Sequence, residues 1–575
     1  MSALLGELMI VAEALAAGLK RHGVEIIFSQ CFPVRTQHVL PRYGIRQIGF
    51  RTENSGGAMA DGYARVARRI AVLAAQSGPA ATLLVPPLAE AYMASIPILA
   101  LVEEFPRREA DRNAFQEYDH FALFSSCSKW TRRVERADRL EDYLDMAIAK
   151  ATSGRCGPVV LLLPTDVLSE KAVASRRSLA LGHFPLDRPV PERGLLAEAA
   201  SLIKRAQRLL VVAGGGVHLS DASAELVELA ELGAFPVATT NMGKGSIDEN
   251  SPLSLGVFGG CMGEAARSSG LRSFATDADV VLLVGTRTNA NGTDGWKLFP
   301  EHAQFIHIDV DGAEVGRNYE ALRLVGDAKA TLRALIDELV KSGLAERPGQ
   351  RDRVAAATRA ARAQSEAKLA DTGPGRPGKI RPEVMLGALN ALLRPDDIVV
   401  ADASYATNWV STFLNGRATG ARFLEPRGLA GLGWGFPLAL GAKLASPSSR
   451  VIVVVGDGGF AHCWSELETA RRLNIDVVVI VLNNQILGYQ LHGEEFVFKT
   501  HSDAADLGPV DHAAIARACG CHGERVESPA ECGPALERAL NAGRPALIDL
   551  MIDDKARPPL NLFAAKAQIG EAVAL

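Results

Sequence analysis

At 575 residues the chain is long enough to form about three or four domains of ordinary size. Its composition, 48% hydrophobic and 22% charged, is typical of a globular protein. A net charge of −4 argues against nucleic acid or an anionic membrane surface as partners, and no apolar run approaches the roughly 18 residues of a membrane span.

The first segment of the chain predicts a helix. Residues 1–25 combine acidic side chains with helical periodicity, which argues against a signal peptide. Eight cysteines are scattered along the chain without the spacing of a zinc site. We therefore expect reduced thiols and a cytoplasmic location.

Two stretches predict linkers and divide the chain into three parts. Residues 168–195 lose the apolar pattern and contain three prolines, and residues 345–380 are rich in Arg, Ala, Gly and Pro. We therefore expect domains at 1–180, 192–345 and 378–560. The first and last parts could be distant copies of one fold, which the sequence alone leaves open.

Each part alternates short β-branched runs with amphipathic helices, and this pattern predicts an α/β fold. The predicted strands are 70–75, 159–163, 209–212, 280–284, 305–309, 398–401, 451–455, 477–482 and 546–550.

The first part contains the motif RTENSGGAMADGYARV at 51–66. Glu53 stands just before a glycine-containing start of an Ala- and Gly-rich helix. Taken alone, an acid in this position is typical of a helix cap or of a partner of the helix dipole.

The middle part contains VVAGGGV at 211–217, after a predicted strand and before a helix. Such a pattern can indicate a dinucleotide site. It lacks the complete Gly-x-Gly-x-x-Gly and a suitably placed acid, so the signal is weak.

The most informative segment is 456–484, GDGGFAHCWSELETARRLNIDVVVIVLNN. It predicts a strand end, a tight turn at Gly456 and Gly458, an amphipathic helix and a second buried strand. Because β–α–β crossovers are right-handed, Asp457, Asn484 and the start of the helix should lie at one edge of the sheet. An acid, an amide oxygen and a helix N-terminus form a site for Mg²⁺ bound to a diphosphate.

This segment resembles the thiamine diphosphate (ThDP) motif, which opens with Gly-Asp-Gly and closes with Asn-Asn. The whole chain resembles the acetohydroxyacid synthase-like branch of ThDP enzymes, which also holds pyruvate oxidases, benzoylformate decarboxylases, oxalyl-CoA decarboxylases and benzaldehyde lyase. The resemblance extends from Glu53 through SGPAAT (77–82), AFQEYDHFALFSSCSKWTRRV (114–134), FIHIDVDGAEVGRN (305–318) and RGLAGLGWGFPLALGAKLA (427–445).

The resemblance implies three doubly wound parallel-sheet domains. The first would bind the pyrimidine ring of the cofactor and the third its diphosphate, while the middle domain would bind a nucleotide or nothing. It also implies a homodimer or homotetramer whose active sites lie between subunits, with Glu53 from one chain and Asp457 from its partner.

The resemblance also implies roles for single residues. Asp457, Asn484 and the carbonyl of Ile486 would hold Mg²⁺. Further contacts to the cofactor would come from Gly456, Gly458, Gly459 and Leu487. The Ala430 carbonyl would accept a hydrogen bond from the 4′-amino group, and the Leu432 side chain would bend the cofactor. Glu53 would hydrogen-bond the aminopyrimidine, favour its imino tautomer and so allow removal of the thiazolium C2 proton.

Candidates for work on the substrate are Gln116, Gln76 and His492 as catalytic groups, with Cys31, Phe32, Tyr489 and His462 tuning the pocket. His492 belongs to a region that is a mobile cover in relatives, and His462 fits equally well as a core histidine.

Several departures from the family pattern affect substrate choice. Cys31 and Phe32 replace a Pro or His and a Gly, and Gln76 replaces a Thr or His. Acetohydroxyacid synthases have an acid–arginine pair where this chain has RTNANGTDG (287–295), and their acceptor-side tryptophan falls at Gly493. These losses argue against acetohydroxyacid synthesis from two 2-oxo acids.

We therefore expect a ThDP- and Mg²⁺-dependent C–C lyase or carboligase that acts on a small carbonyl substrate, namely a 2-oxo acid, α-diketone or α-hydroxyketone, through ylide attack and an enamine. Simple 2-oxo acid decarboxylation is the alternative, followed by an FAD-dependent oxidase. Relatives bind FAD, ADP or nothing in the middle domain, and the weak glycine signal here argues against both nucleotides. A non-catalytic regulatory protein of the same fold is the rival from another class, and the presence of Glu53, Asp457 and Asn484 argues against it.

Overall fold

The computed structural model describes residues 9–30, 34–371, 373 and 375–561. The described residues form three six-stranded sheets in which all neighbouring strands are parallel. Helices connect the strands, so the predicted α/β class with three parallel sheets is confirmed.

The N-terminal sheet has the strand order β2-β1-β3-β4-β6-β5. Its strands are β1 (Ile26–Ser29), β2 (Arg46–Ile48), β3 (Ala71–Gln76), β4 (Ile98–Glu104), β5 (Trp130–Arg133) and β6 (Val159–Pro164). Its helices are α1 (Val11–Arg21), α2 (Val34–Val39), α3 (Glu53–Ala67), α4 (Pro79–Leu83), α5 (Val85–Ala94), α6 (His120–Phe124), α7 (Leu140–Thr152) and α8 (Thr165–Leu168).

The middle sheet has a different order, β12-β11-β10-β7-β8-β9. Its strands are β7 (Leu209–Ala213), β8 (Val237–Thr239), β9 (Ser254–Val257), β10 (Val280–Val284), β11 (Gln304–Asp309) and β12 (Ala321–Val325). Its helices are α9 (Arg193–Arg205), α10 (Gly215–Leu219), α11 (Ser223–Gly233), α12 (Ser273–Thr276), α13 (Ala328–Lys341) and α14 (Gln350–Asp371).

The C-terminal sheet has the order β14-β13-β15-β16-β18-β17, which repeats the order of the N-terminal sheet strand for strand. Its strands are β13 (Ile398–Ala401), β14 (Arg422–Leu424), β15 (Val451–Gly456), β16 (Val478–Asn483), β17 (His522–Val526) and β18 (Ala546–Met551). The helices of this part are α15 (Pro382–Leu392), α16 (Tyr405–Phe413), α17 (Gly435–Ala445), α18 (Asp457–Phe460), α19 (Glu466–Leu473), α20 (Gly488–Phe498), α21 (His512–Ala518) and α22 (Cys532–Leu540).

Short 3₁₀ turns complete the connections, at Leu40–Tyr43, Arg107–Glu109, Ala137–Arg139, Asn241–Gly243, Ser269–Leu271, Asn291–Thr293, Asp503–Ala505 and Pro529–Glu531. Each sheet has its own apolar core. The central strands are buried along their whole length, because helices cover both faces of a parallel sheet.

The chain forms two compact units. The first contains residues 1–187 with 426–448 and 463–477, so that α17 and α19 belong to it together with the N-terminal sheet. The second contains residues 188–425, 449–462 and 478–575, with the middle and C-terminal sheets.

Helices α3 and α17 cross closely within the first unit. A Cβ on Gly62 of α3 would lie 2.1 Å from the Leu438 carbonyl oxygen, and a Cβ on Gly441 of α17 would lie 1.9 Å from the Met59 carbonyl oxygen. Neither position has room for a side chain, so each helix contributes one glycine to the crossing.

Most of the segment 345–380, which we predicted to be a linker from its composition, is helical, because α14 occupies Gln350–Asp371. Its buried positions are mainly small or polar, among them Ala355, Thr358, Ala361 and Ser365. The helix is held by hydrogen bonds as well as by apolar contact: the Thr358 and Ser365 hydroxyls donate to backbone carbonyls of residues 252 and 265. The sequence of this helix therefore lacks the helical repeat of large apolar residues that would have predicted it.

Candidate functional site

The predicted site residues divide between the two units. Those of the first unit are Glu53, Gln76, Gln116, Ala430 and Leu432. Those of the second unit are Gly456, Asp457, Gly458, Gly459, His462, Asn484, Ile486, Leu487, Tyr489 and His492. Cys31 and Phe32 lie outside the described residues.

In the second unit, Asp457 stands where two adjacent strands end. It follows β15 and begins α18, while Asn484 follows β16, the neighbour of β15 in the sheet. Asp457 Oδ2 accepts a hydrogen bond from the backbone N–H of Gln485 at 2.7 Å. The structure therefore brings the two halves of the 456–484 motif together at the carboxyl edge of the sheet.

The Asp457 carboxylate is only 6% exposed. Burial raises its pKa to about 6; the Gln485 N–H opposes this rise, and the charge of Asp549 adds to it. No ion pair among the described residues includes Asp457, so its charge is poorly balanced in the protein itself. A divalent cation would supply the missing charge, and these residues therefore fit Mg²⁺.

The donor set for this cation is mixed. The described residues contain no group of three His, Cys, Asp or Glu side chains arranged to hold a metal ion. One carboxylate, one amide and one backbone carbonyl, from Asp457, Asn484 and Ile486, would give Mg²⁺ an all-oxygen ligand set that phosphate and water could complete.

The turn after β16 is rigidly held. Gln485 has a φ of 62°, its carbonyl accepts a hydrogen bond from Leu507 N–H at 2.8 Å, and Leu487 N–H donates to the Ala505 carbonyl at 2.8 Å. A Cβ on Gly458 would lie 2.8 Å from Leu487 Cδ2. Leu487 thus packs closely over Gly458 at the start of α18, and a side chain at 458 would displace the end of Leu487.

In the first unit, Glu53 is the first residue of α3 and is 8% exposed. Thr52 caps the helix, since its Oγ1 accepts from Ser55 N–H at 3.2 Å. Next to Glu53, the Asn54 side-chain oxygen accepts a hydrogen bond from Trp434 Nε1 at 3.0 Å. The acid is thus part of a fixed helix start in a mostly dry environment.

A second carboxylate, Glu466, contacts the backbone just before Glu53. Its Oε1 accepts from the N–H groups of Arg51 and Thr52, at 3.0 and 3.2 Å. Sequence reasoning missed this residue. The signal was present, because Glu466, Ala470 and Leu473 lie at helical spacing and so place the acid on the apolar face of α19.

A third carboxylate, Glu90, holds the segment that contains Ala430. Its Oε1 accepts from Gly428 N–H at 2.6 Å, and its Oε2 accepts from Ala430 N–H at 3.3 Å. Burial raises the pKa of Glu90, and nearby Arg65 opposes the rise. Ala430 has a φ of 62°, and Leu432 beside it is 38% exposed, so the apolar side chain is partly free to contact a ligand.

Gln76 and Gln116 lie side by side, with Gln76 Nε2 donating to Gln116 Oε1 at 3.0 Å. The loop below them is fixed by His120, whose Nε2 accepts from Gly78 N–H at 3.0 Å. Its Nδ1 therefore carries the proton and donates to Glu104 at 3.0 Å. The two amides thus lie next to a loop that is fixed by polar contacts of His120, and sequence reasoning did not predict these contacts.

His492 lies in α20 and is 2% exposed. Its Nε2 donates to the Asp554 carbonyl at 3.0 Å, so Nδ1 is the acceptor of the Tyr405 hydroxyl at 3.1 Å. Burial lowers the pKa of His492. Tyr489 packs edge-on against Tyr405 and is 38% exposed, while His462 is exposed.

The glycines of the middle motif are explained by packing. A Cβ on Gly214 would lie 2.3 Å from the Gly285 carbonyl oxygen, and one on Gly216 would lie 2.6 Å from Gly285 Cα. The turn after β7 therefore packs directly on the turn after β10, which requires glycine without any nucleotide.

Comparison with protein families gives three matches along the chain. A model described as the N-terminal TPP binding domain of thiamine pyrophosphate enzymes matches residues 9–123. The central-domain model matches residues 196–335, and the C-terminal TPP binding domain matches residues 402–550.

Several proteins are similar over nearly the full length. The probable acetolactate synthase large subunit of Methanococcus aeolicus is 32% identical over 562 residues, 94% of this chain and 92% of the relative. The protein of the same name from Methanocaldococcus jannaschii is 32% identical over 96% of this chain and 93% of its own. The acetolactate synthase large subunit of Mycobacterium tuberculosis is 32% identical over 95% of this chain and 88% of its own. No helix among the described residues is long and apolar enough to cross a membrane.

Proposed function

Since the chain belongs to the thiamine pyrophosphate enzymes, in the acetolactate synthase family, we propose that it is a Mg²⁺-dependent C–C lyase or carboligase. Its substrates would be 2-oxo acids, α-diketones or α-hydroxyketones. The observation that carries the proposal is the buried Asp457 carboxylate, which lies at the end of β15 without a cationic partner among the described residues.

The residues of the second unit supply the anchor for the cofactor. Asp457, Asn484 and the Ile486 carbonyl would bind Mg²⁺, and Gly456, Gly458, Gly459 and Leu487 would line the diphosphate. When bound, ThDP supplies a carbon nucleophile and an electron sink, which protein side chains do not provide.

The residues of the first unit would act on the pyrimidine ring. Glu53 would share a proton with the ring nitrogen, and its side chain is buried at the fixed start of α3. The Ala430 carbonyl would accept the 4′-amino hydrogen bond, and Leu432 would support the bent cofactor. We propose a homodimer or homotetramer in which Glu53 and Asp457 of one site come from different subunits.

The Gln76–Gln116 pair is our proposal for the substrate contact. Because Gln76 Nε2 donates to Gln116 Oε1, the amide nitrogen of Gln116 would be the group that donates a hydrogen bond to a substrate carbonyl. Gln116→Ala should therefore weaken turnover while C2 exchange of the bound cofactor stays normal. His492 keeps its predicted role only if its two hydrogen bonds can open during turnover.

We propose that this protein differs from its named relatives in the two carbonyl compounds that it uses as substrates. The names of those relatives make acetolactate formation the first reaction to assay. The changes at 287–295 and at Gly493 favour a different pair, so we propose that a diketone, a hydroxyketone or a single 2-oxo acid is consumed faster than two 2-oxo acids are joined.

A panel assay tests this function. The protein is loaded with Mg²⁺ and ThDP and incubated with 2-oxo acids, diketones and hydroxyketones, and products are identified by NMR. Cleavage or ligation of at least one carbonyl compound is expected. Failure of the protein to bind ThDP by calorimetry would contradict the proposal, and acetolactate as the dominant product would contradict the substrate preference.

Three further expectations remain part of the proposal. The domain boundaries are 1–180, 192–345 and 378–560, and the location is the cytoplasm. The middle domain works without FAD or ADP, because the packing of Gly214 and Gly216 already accounts for its glycine motif. A flavin absorption spectrum in the purified protein would contradict that expectation.

A further inference from the structure

Glu466 is completely buried, and its carboxylate accepts hydrogen bonds from donors that carry no charge. Its Oε1 accepts from Arg51 N–H at 3.0 Å and from Thr52 N–H at 3.2 Å. Its Oε2 accepts from Arg51 N–H at 3.2 Å and from the Thr469 hydroxyl at 2.7 Å. Both oxygens therefore serve the two peptide groups that precede Glu53, and Thr469 fixes the carboxylate.

A buried acid of this kind is costly to maintain. None of the ion pairs among the described residues includes Glu466, and burial raises its pKa, although the Thr469, Arg51, Ser55 and Thr52 hydrogen bonds oppose the rise. A glutamine of the same shape would avoid burying the charge. It would also present an N–H₂ group to two backbone N–H groups, so a carboxylate is the side chain that suits this contact.

The contact determines where α3 begins. Arg51 and Thr52 are the last two residues before the helix, Thr52 is its N-cap, and Glu53 is its first residue. Arg472, six residues further along α19, donates to the Gly49 carbonyl at 2.8 Å and holds the same strand end. The position of the Glu53 backbone is thus set by α19 rather than by α3 alone.

We propose that Glu466 is a positioning residue for Glu53: it holds the two peptide groups before α3 so that the Glu53 carboxyl group meets the pyrimidine ring in the geometry needed for proton transfer. This inference rests on the proposed function and adds a residue that acts on the cofactor only through another side chain. A displacement of about 1 Å at a reacting group can cost about 100-fold in rate.

The test compares Glu466→Gln with the unchanged protein in two measurements. Hydrogen–deuterium exchange at C2 of bound ThDP reports proton transfer, and calorimetry reports the affinity for ThDP with Mg²⁺. C2 exchange is expected to slow by about 100-fold. Affinity should stay unchanged, because Glu466 touches no residue assigned to the diphosphate. Wild-type exchange in Glu466→Gln would overturn the inference.

A double variant separates positioning from general loosening of the structure. If Glu466 acts through Glu53, adding Glu466→Gln to Glu53→Gln slows exchange no further. Additive slowing would show that Glu466 acts by another route and would overturn the inference. Normal exchange in Glu53→Gln alone would overturn the proposed function as well, so the two failures are distinguishable.

Glu468→Gln is the matched control. Glu468 lies on the same helix, its side chain is 39% exposed, and it pairs with Arg472 and Arg51 at the surface. The same substitution there should leave both measurements at wild-type values. If Glu466→Gln does not fold, Glu466→Asp keeps the charge but withdraws it by one methylene group, and it carries the same expectations.

Discussion

The N-terminal and C-terminal sheets share one framework but carry different chemistry. Their strand orders are the same, and each has a buried glutamate on a helix after its third strand, Glu90 on α5 and Glu466 on α19. Each glutamate accepts backbone N–H groups from the segment after the second strand of the other sheet. The arrangement is therefore reciprocal.

The difference between the two sheets lies in the residues that follow the ends of the matching strands. After β2 the chain presents the acid Glu53, whereas the matching segment after β14 presents the backbone of Ala430. After β15 it presents Asp457, whereas β3 ends at Gln76. On our proposal, one scaffold supports an acid–base group in one copy and a metal ligand in the other, so function would depend on loop side chains more than on topology.

The largest expected effect concerns the acid of the N-terminal copy. Glu53→Gln should slow C2 exchange of bound ThDP by about 100- to 10,000-fold, since it removes a general acid–base group. Cofactor affinity measured by calorimetry should change little. If affinity fell in parallel with exchange, the division of labour between the two copies would be wrong.

The complementary change is Asp457→Ala in the C-terminal copy. Loss of the buried carboxylate should cost about 3 kcal/mol of Mg²⁺-dependent ThDP binding, or about 100-fold in affinity. Titration calorimetry with and without Mg²⁺ measures it. The exposed residue Asp396, in the same unit, gives the control Asp396→Ala, which should bind as the wild type does. Full affinity in Asp457→Ala would place the diphosphate elsewhere.

The crossing of α3 and α17 predicts a loss of stability. Gly62→Ala places a Cβ within 2.1 Å of the Leu438 carbonyl oxygen, and backbone atoms must move to make room. Unfolding in denaturant should show a loss of about 2 kcal/mol. Gly387 lies on α15 where a Cβ meets no described atom within 4 Å. Gly387→Ala should therefore be neutral or stabilise by up to about 1 kcal/mol, and equal effects at the two sites would contradict this account of the crossing.

The smallest expected effect tests the Glu90 half of the reciprocal arrangement. Glu90→Gln keeps the size of the side chain but offers an N–H₂ group to backbone donors at 428–430, so the free energy of unfolding should fall by about 1 kcal/mol. The same measurement on Glu25→Gln, at an exposed glutamate of the same unit, should show no change. A more stable Glu90→Gln protein would mean that relief from charge burial outweighs the lost hydrogen bonds.

Local patterns allowed much of the fold to be predicted. The strands at Val280–Val284 and Ile398–Ala401 have the predicted bounds, and the others named in advance differ by about a residue at an end, because runs of β-branched residues mark buried parallel strands. The strand–turn–helix context of Asp457 was predictable for the same reason. Helix α14 was not predicted, because its buried face is made mainly of small and polar residues.

The contacts of Glu466 and Glu90 could not be predicted from local patterns. Each joins residues more than 330 positions apart in the chain, and nothing near Glu466 in the sequence indicates that residues 51 and 52 are its partners. The tautomer of His492 likewise depends on Asp554, 62 positions away. Pairings of this kind become visible only when the chain is folded.

We propose Gly493 as a point of control over the size of the second substrate. It is buried in α20, yet a Cβ there would meet no described atom within 4 Å. By the family resemblance this is the position of a tryptophan on the acceptor side. A ladder of replacements, from alanine through leucine to tryptophan, would fill that space in steps and give enzyme engineers a graded means of choosing which carbonyl compound is joined.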